Sequence, residues 1–181
     1  MTWYDDASGD RTELSGTTLD NWVAKTANLL VDGAGLGAGD TVAVLLPPHW
    51  QTVVVTFAAW VAGCPLGDGG VAFVAEERLP VTGYADVVAL SLRPMAARLA
   101  GTYPGVMDFA EEVPAYGDDF APEAPLRQSP VPDARRVLLA DADPVPAALA
   151  ALAGGGGLVI CRNADAAALG RRAETERAVV A

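Results

Sequence analysis

Three side chains of the kinds used in acyl-transfer hydrolysis each follow an apolar run: His49, Ser91 and Asp141. The runs at 42–46, 87–90 and 137–140 read as strands, so each residue stands at a strand's carboxyl end. Open α/β sheets collect their ligands at that edge. Serine would be the nucleophile, histidine the base and aspartate the group that orients the base. Trp50, beside His49, would add an aromatic face, and His49, Trp50, Ser91 and Asp141 together form a candidate ligand-binding rim. The chemistry lacks a key part, because no GxSxG elbow is present to expose the serine. Each residue also has a plain structural use. Ser91 and Asp143 suit helix caps, and His49 suits the polar first turn of a helix. No catalytic residue is assigned.

Glycine clusters are the second candidate chemistry. "GAGLGAG" at 33–39 and "GGGG" at 154–157 each follow a helical pattern and precede a strand pattern. Phosphate-cradling loops run the other way, from strand to glycines to helix N-terminus. Neither cluster matches GxGxxG or a GK[ST] loop, so both read as helix stops and turns. The adjacent acids Glu76 with Glu77, Glu111 with Glu112, and Asp118 with Asp119 read as solvated loop charges. Cys64 and Cys161 have no CxxC spacing and His49 is the sole histidine, so no metal site is expected. Both thiols read as small buried hydrophobes. Lys25, the only lysine, falls on the helix face away from Leu19 and Trp22 and reads as a solvated charge.

The whole chain limits the partners. It has 181 residues, half of them apolar, and a formal net charge of −11. A polyanion would be repelled, so nucleic acid is not an expected partner, and anionic membrane surfaces are disfavoured too. The longest apolar run, 53–64, is shorter than the roughly 20 residues a membrane span needs. The polar, acidic opening "TWYDD" does not read as a signal peptide, and a cytoplasmic setting is expected.

The elements that must position these residues alternate. "TWYDDASGDRTEL" reads as a hairpin about an Asp/Gly turn, and "TTLDNWVAKTANLLVDG" as an amphipathic helix. "DTVAVLLPP" is a short apolar strand, and a helix over "HWQTVVVTFAAWVAG" follows it. β-Branched Val53 to Val55 would also suit a strand there, but the length and the alanines favour helix. Further strands are expected over "VAFVAEE", residues 86–90 and "GVMDFAEEV", with a helix from Pro94 to Gly101 capped by Ser91. Residues 114–135 are acidic and proline-rich, and read as a long loop. Strand 137–140, a helix begun at Pro144, strand 158–161 and a helix over 164–178 close the pattern. Such alternation predicts an α/β fold with a largely parallel sheet, helices on both faces and an N-terminal hairpin. The expected organisation is one domain, 1–181, with βα units at 1–113 and 136–181 about the loop.

The order of these motifs resembles the N-terminal region of the AMP-binding, adenylate-forming enzymes, which include acyl-CoA synthetases, luciferases and peptide-synthetase adenylation domains. "TELSGTTLDNWVAKTANLLVDGAGLGAGDTVAVLLPPHWQTVVVTFAAWVAGCPL" is similar to the family's run from a "T..eL" helix to "G...GD.V...LP" and a helix ending in glycine. Residues 136–177 look like a later strand–helix–strand–helix segment of those enzymes, and the chain is closest to a small family that looks like a shortened version of them. The resemblance implies an AMP, ATP or CoA-type ligand. It also exposes a difference. Where an active enzyme grips triphosphate with a Ser/Thr/Gly-rich loop ending Pro-Lys-Gly, this chain has "GDDFAPEAPLRQSPVPDA", with one glycine and no lysine. Phosphate needs backbone N–H groups and a cation, and three acids precede Arg127 here. The family's adenine-binding aromatic motif, ribose-binding aspartate and adenylation lysine have no counterpart in the sequence. The resulting expectation is a catalytically silent relative binding a small ligand or a protein partner. The alternatives are an enzyme completed in trans or using altered chemistry, and a structural subunit, including a homodimer.

Overall fold

The computed structural model describes residues 1–122 and 128–181, so part of the proline-rich loop lies outside the described residues. In chain order the elements are β1 (Thr2–Asp5), β2 (Asp10–Glu13), α1 (Gly16–Asn28), β3 (Val42–Leu45), α2 (Trp50–Val61), β4 (Val71–Ala75) and β5 (Asp86–Leu90). They continue as β6 (Val106–Asp108), α3 (Phe109–Glu112), β7 (Arg136–Ala140), α4 (Val145–Gly154), β8 (Gly157–Arg162), α5 (Ala166–Glu176) and β9 (Val179–Val180). The class is the expected one, α/β with mostly parallel pairing. The strands, however, are shared between two sheets, and the chain divides into two compact units.

The first unit comprises residues 1–16, 48–53 and 128–181. Its sheet runs β2-β1-β8-β7-β9, with the β1–β2 hairpin antiparallel and every other pair parallel. The register pairs Thr2 with Val159 and Leu138 with Val159, so Leu138, Val159, Cys161 and Tyr4 share one face. Leu169 and Ala173 of α5 pack on that face. Trp3 and Ile160 fall on the other. The crossover through α4 moves from β7 to β8, and that through α5 moves back across β7 to β9. Right-handed crossovers in opposite directions put the two helices on opposite faces.

The second unit, residues 17–47 and 54–127, holds a fully parallel sheet in the order β3-β4-β5-β6. Strand β4 is buried along its whole length, which is why "VAFVA" is a continuous apolar run instead of an alternating one. Phe73, Val88, Leu90, Phe109, Leu29 and Leu30 form the core, none more than 2% exposed. Helix α2 forms despite Val53, Val54 and Val55 because all three are completely buried. Each valine costs roughly 0.5 kcal/mol in helix propensity, while burying it contributes about 1.5–3 kcal/mol. Burial wins.

Local chemistry redraws three expected elements. Residues 94–101 form only a single turn at Pro94–Ala96. Eight residues are too few for a helix without strong packing, and the N–H groups of Leu99, Ala100 and Gly101 bond to carboxylates elsewhere. The strand expected over "GVMDFAEEV" stops at Asp108, whose side chain accepts from Ala110 N at 2.9 Å and starts α3. The last helix ends at Arg177, at φ +50°, freeing the β-branched pair Val179–Val180 to join β7. Among the described residues, no helix is long and apolar enough to cross a membrane.

Candidate functional site

The glycines come first, because they bear on phosphate binding. Gly155, at φ +72°, caps α4 and returns its N–H to Ala151 O. Gly154 and Gly156 are pressed against the chain entering β7. A Cβ on either would lie 2.3–2.5 Å from backbone atoms of Asp133 or Arg135. The run "GGGG" therefore lets two backbone segments touch, and at Gly33 the Tyr116 hydroxyl fills the space a Cβ would take. These glycines serve a helix cap and close packing.

The four strand-end residues have separate surroundings. His49 is fully buried, its ring 4.3 Å from that of Trp3 in an edge-on contact, and its Nδ1 accepts from Gln51 N at 3.1 Å. An accepting Nδ1 leaves the ring proton on Nε2 in the neutral form. Trp50 is 2% exposed and lies 5.5 Å from the His49 ring. Asp141 is exposed, at φ +50°, and its two carboxylate oxygens accept from Asn163 N at 2.6 Å and Ala164 N at 2.9 Å. Ser91 belongs to the other unit. Its hydroxyl donates to Ala97 O and accepts from Arg93 N. The Ser91 proton thus goes to a carbonyl, and both Asp141 oxygens go to backbone amides.

That use of carboxylates recurs at the carboxyl edges of both sheets. Beside β1, Asp6 accepts from Asp165 N at 2.7 Å and from both terminal nitrogens of Arg172, at 2.6 and 3.0 Å. The Arg172 guanidinium, with the Asp165 amide, outweighs burial and holds the Asp6 carboxyl below its ordinary range. Beyond β4, Glu76 Oε1 accepts from Ala100 N, Gly101 N and the Tyr103 hydroxyl. At the end of β6, Asp108 Oδ2 accepts from Leu99 N at 2.9 Å. At these edges the N–H groups of Leu99, Ala100, Gly101, Asn163, Ala164 and Asp165 are all held by the chain's own carboxylates.

The residues that sequence reasoning missed form one polar network on the α5 face of the first sheet. Tyr4 donates its hydroxyl to Glu176 Oε1, and Arg172 lies over its ring at 4.3 Å. Arg136 reaches Glu176 Oε2 at 2.5 Å and Thr2 Oγ1 at 2.7 Å, and Arg11 donates to the Tyr4 oxygen. Burial alone would raise the Glu176 carboxyl, but its bonds from Tyr4 and Arg136 hold it below the ordinary range. Arg172 and Glu176 stand four apart on one helix, a spacing that puts them on one face. That spacing was the available signal. Lys25 is likewise more engaged than expected: Nζ donates to Tyr116 O at 2.6 Å and pairs with Asp118 at 2.9 Å, pinning the start of the long loop. Both cysteines are buried, and burial pushes both thiols up. Among the described residues, no group of three or more His, Cys, Asp or Glu could hold a metal ion.

This architecture is that of the N-terminal region of the adenylate-forming enzymes. An acyl-CoA synthetase from Brucella canis superposes with a TM-score of 0.72 at 18% identity, over 98% of this chain and 43% of that one. Acetoacetyl-CoA synthetase from Streptomyces lividans gives 0.69 at 16% identity, over 98% of this chain and 38% of its own. The chain thus spans less than half the length of either enzyme. Residues 2–79 match the family model described as "AMP-binding enzyme". A "TIGR03089 family protein" from Mycobacterium tuberculosis (strain ATCC 25618 / H37Rv) is 38% identical, over 98% of this chain and 88% of the relative. The chain belongs to the TIGR03089 family, related to the AMP-binding enzymes.

Proposed function

We propose that this protein is a non-adenylating relative of the AMP-binding enzymes that uses the inherited scaffold to bind a small ligand or a protein partner. The observation that supports this most strongly is the occupation of edge amides by carboxylates: Asp141 on Asn163 and Ala164, and Glu76 on Ala100 and Gly101. A triphosphate approaching either edge meets negative charge where it needs donors, and electrostatic stabilisation is the main contribution such a site makes to catalysis. The loop that would carry the phosphate grip supplies acids and no lysine. In this reading Asp141 and Ser91 mark strand ends with their polar atoms engaged within the chain, and His49 and Trp50 contribute buried packing.

Thermal shift against ATP, AMP, CoA and an acyl-CoA tests the reading. A ligand that binds only the folded chain raises the melting temperature with concentration. Stabilisation by CoA, acyl-CoA or AMP with none by ATP supports it. Stabilisation by Mg-ATP at micromolar concentration contradicts it and favours an enzyme completed in trans. A structural subunit is the second reading, favoured by the edge strand β9, where Val179 and Val180 are each about half exposed at 50% and 48%. Unpaired edges invite a partner strand. Light scattering across a concentration series, showing a stable oligomer, would favour it.

A further inference from the structure

Residues 91–101 cross the carboxyl edge of the second sheet in an uncommon conformation. Leu92, Met95 and Ala96 lie at φ +56°, +59° and +48°, in the left-handed region that side chains rarely adopt. Each such residue is strained against its right-handed form, because its Cβ crowds the following carbonyl. Something must hold the segment there. Leu92 is 6% exposed and packs on the apolar core, so the segment is rooted at one end. In the middle Met95 is 89% exposed and only the small Ala96, at 9%, is buried, so packing there rests on one methyl group.

The far end is held by carboxylates from two other strands. Glu76, just past β4, accepts from Ala100 N at 2.6 Å, Gly101 N at 3.2 Å and the Tyr103 hydroxyl at 3.1 Å. Asp108, closing β6, accepts from Leu99 N. The register places these anchors on either side of β5: Ala75 pairs with Leu90, and Ala89 with Asp108. The strap leaves the central strand end and is tied back on both neighbours. Between the ties, Ser91 to Ala97 and Arg93 to Arg98 are local bonds that keep the bend closed.

We propose that residues 93–101 are a strained strap latched by Glu76, which closes the carboxyl edge of the β4–β5–β6 sheet and opens as a unit about Leu92 while the sheet stays folded. Strain favours release and the charge-assisted bonds oppose it, so the strap is poised. The edge it covers is where open parallel sheets take their ligands.

Trypsin reads the opening directly. Arg93 is followed by Pro94, which protects that bond, whereas Arg98 has a 71% exposed side chain and lies within the strap. Native-state cleavage at Arg98 is expected to be faster than cleavage within either sheet. Glu76→Ala should speed it about tenfold or more, since bonds to a charged acceptor are each worth roughly a factor of ten. Glu76→Gln, which keeps an acceptor oxygen without the charge, should give an intermediate rise. Met95→Gly leaves the latch intact and relieves one left-handed residue, so it should slow cleavage about threefold. Hydrogen exchange of Leu99, Ala100 and Gly101 should report the same opening, faster than that of Val74 or Ala89. Should Glu76→Ala fail to fold, the glutamine and glycine variants still decide the matter. The proposal is overturned if Arg98 cleavage and these amides track global unfolding, or if Glu76→Gln and Met95→Gly leave the local rate unchanged.

Discussion

In the unit built on β1, β2, β7, β8 and β9, charged side chains tie the last helix to the sheet: Arg172 to Asp6, and Arg136 and Arg11 to Glu176. In the unit built on β3 to β6, the equivalent work falls to an apolar interior of Phe73, Phe109, Leu29, Leu30 and Leu90. The two sheets share parallel pairing and closure of their carboxyl edges by carboxylates. They differ in what supplies cohesion. A polar network responds to pH and to loss of a single acceptor, whereas an apolar core responds to lost volume.

The largest expected effect tests the apolar side. Phe73→Ala removes a completely buried ring that meets Phe109 edge-on at 6.2 Å, and should destabilise by about 3–5 kcal/mol. Denaturant unfolding, with hydrogen exchange at β4 and β5, would check it. A loss below about 1 kcal/mol would mean the second unit does not depend on its interior.

The polar side comes next. Glu176→Ala strips the acceptor from two half-buried side chains, leaving Tyr4 without its carboxylate and Arg136 with only Thr2. With the Glu176 side chain 10% exposed, the cost should be about 2–3 kcal/mol. Acid should mimic it. Glu176 and Asp6 titrate lower folded than unfolded, so their stabilisation is complete above about pH 4.3 and 3.9 and is lost as pH falls through the lowered folded values. The melting temperature of the wild type should therefore drop steeply below about pH 4, and that of Glu176→Ala less steeply. Parallel curves would place the acid sensitivity elsewhere. The smallest change is Gly155→Ala, where a side chain meets open space but must adopt φ +72°. About 1 kcal/mol is expected, with no change at acid pH.

The sequence carried the elements better than their assembly. Apolar runs such as "VAFVA" and "VLLA" and the Gly-ended, Ala-rich stretches announced strands and helices, because burial and chain reversal leave local marks. Partner choice leaves none. That β8 lies between β1 and β7, with β3 to β6 in a sheet of their own, depends on contacts spread over the whole chain. The strap was misread as a helix for the same reason: Glu76, 24 residues before Ala100, takes the amide that a helix would use internally. The strand-end positions of Asp141 and Ser91 could be read from the sequence. The bonds that engage them could not, since a left-handed Asp141 facing two amides has no local signature.

The central proposal, that this chain does not adenylate, is tested most directly by ATP–pyrophosphate exchange with the purified protein alone, offered a panel of acyl and aryl acids. The account predicts no exchange above the protein-free background at any protein concentration. Exchange that rises in proportion to protein and depends on the acid would contradict it.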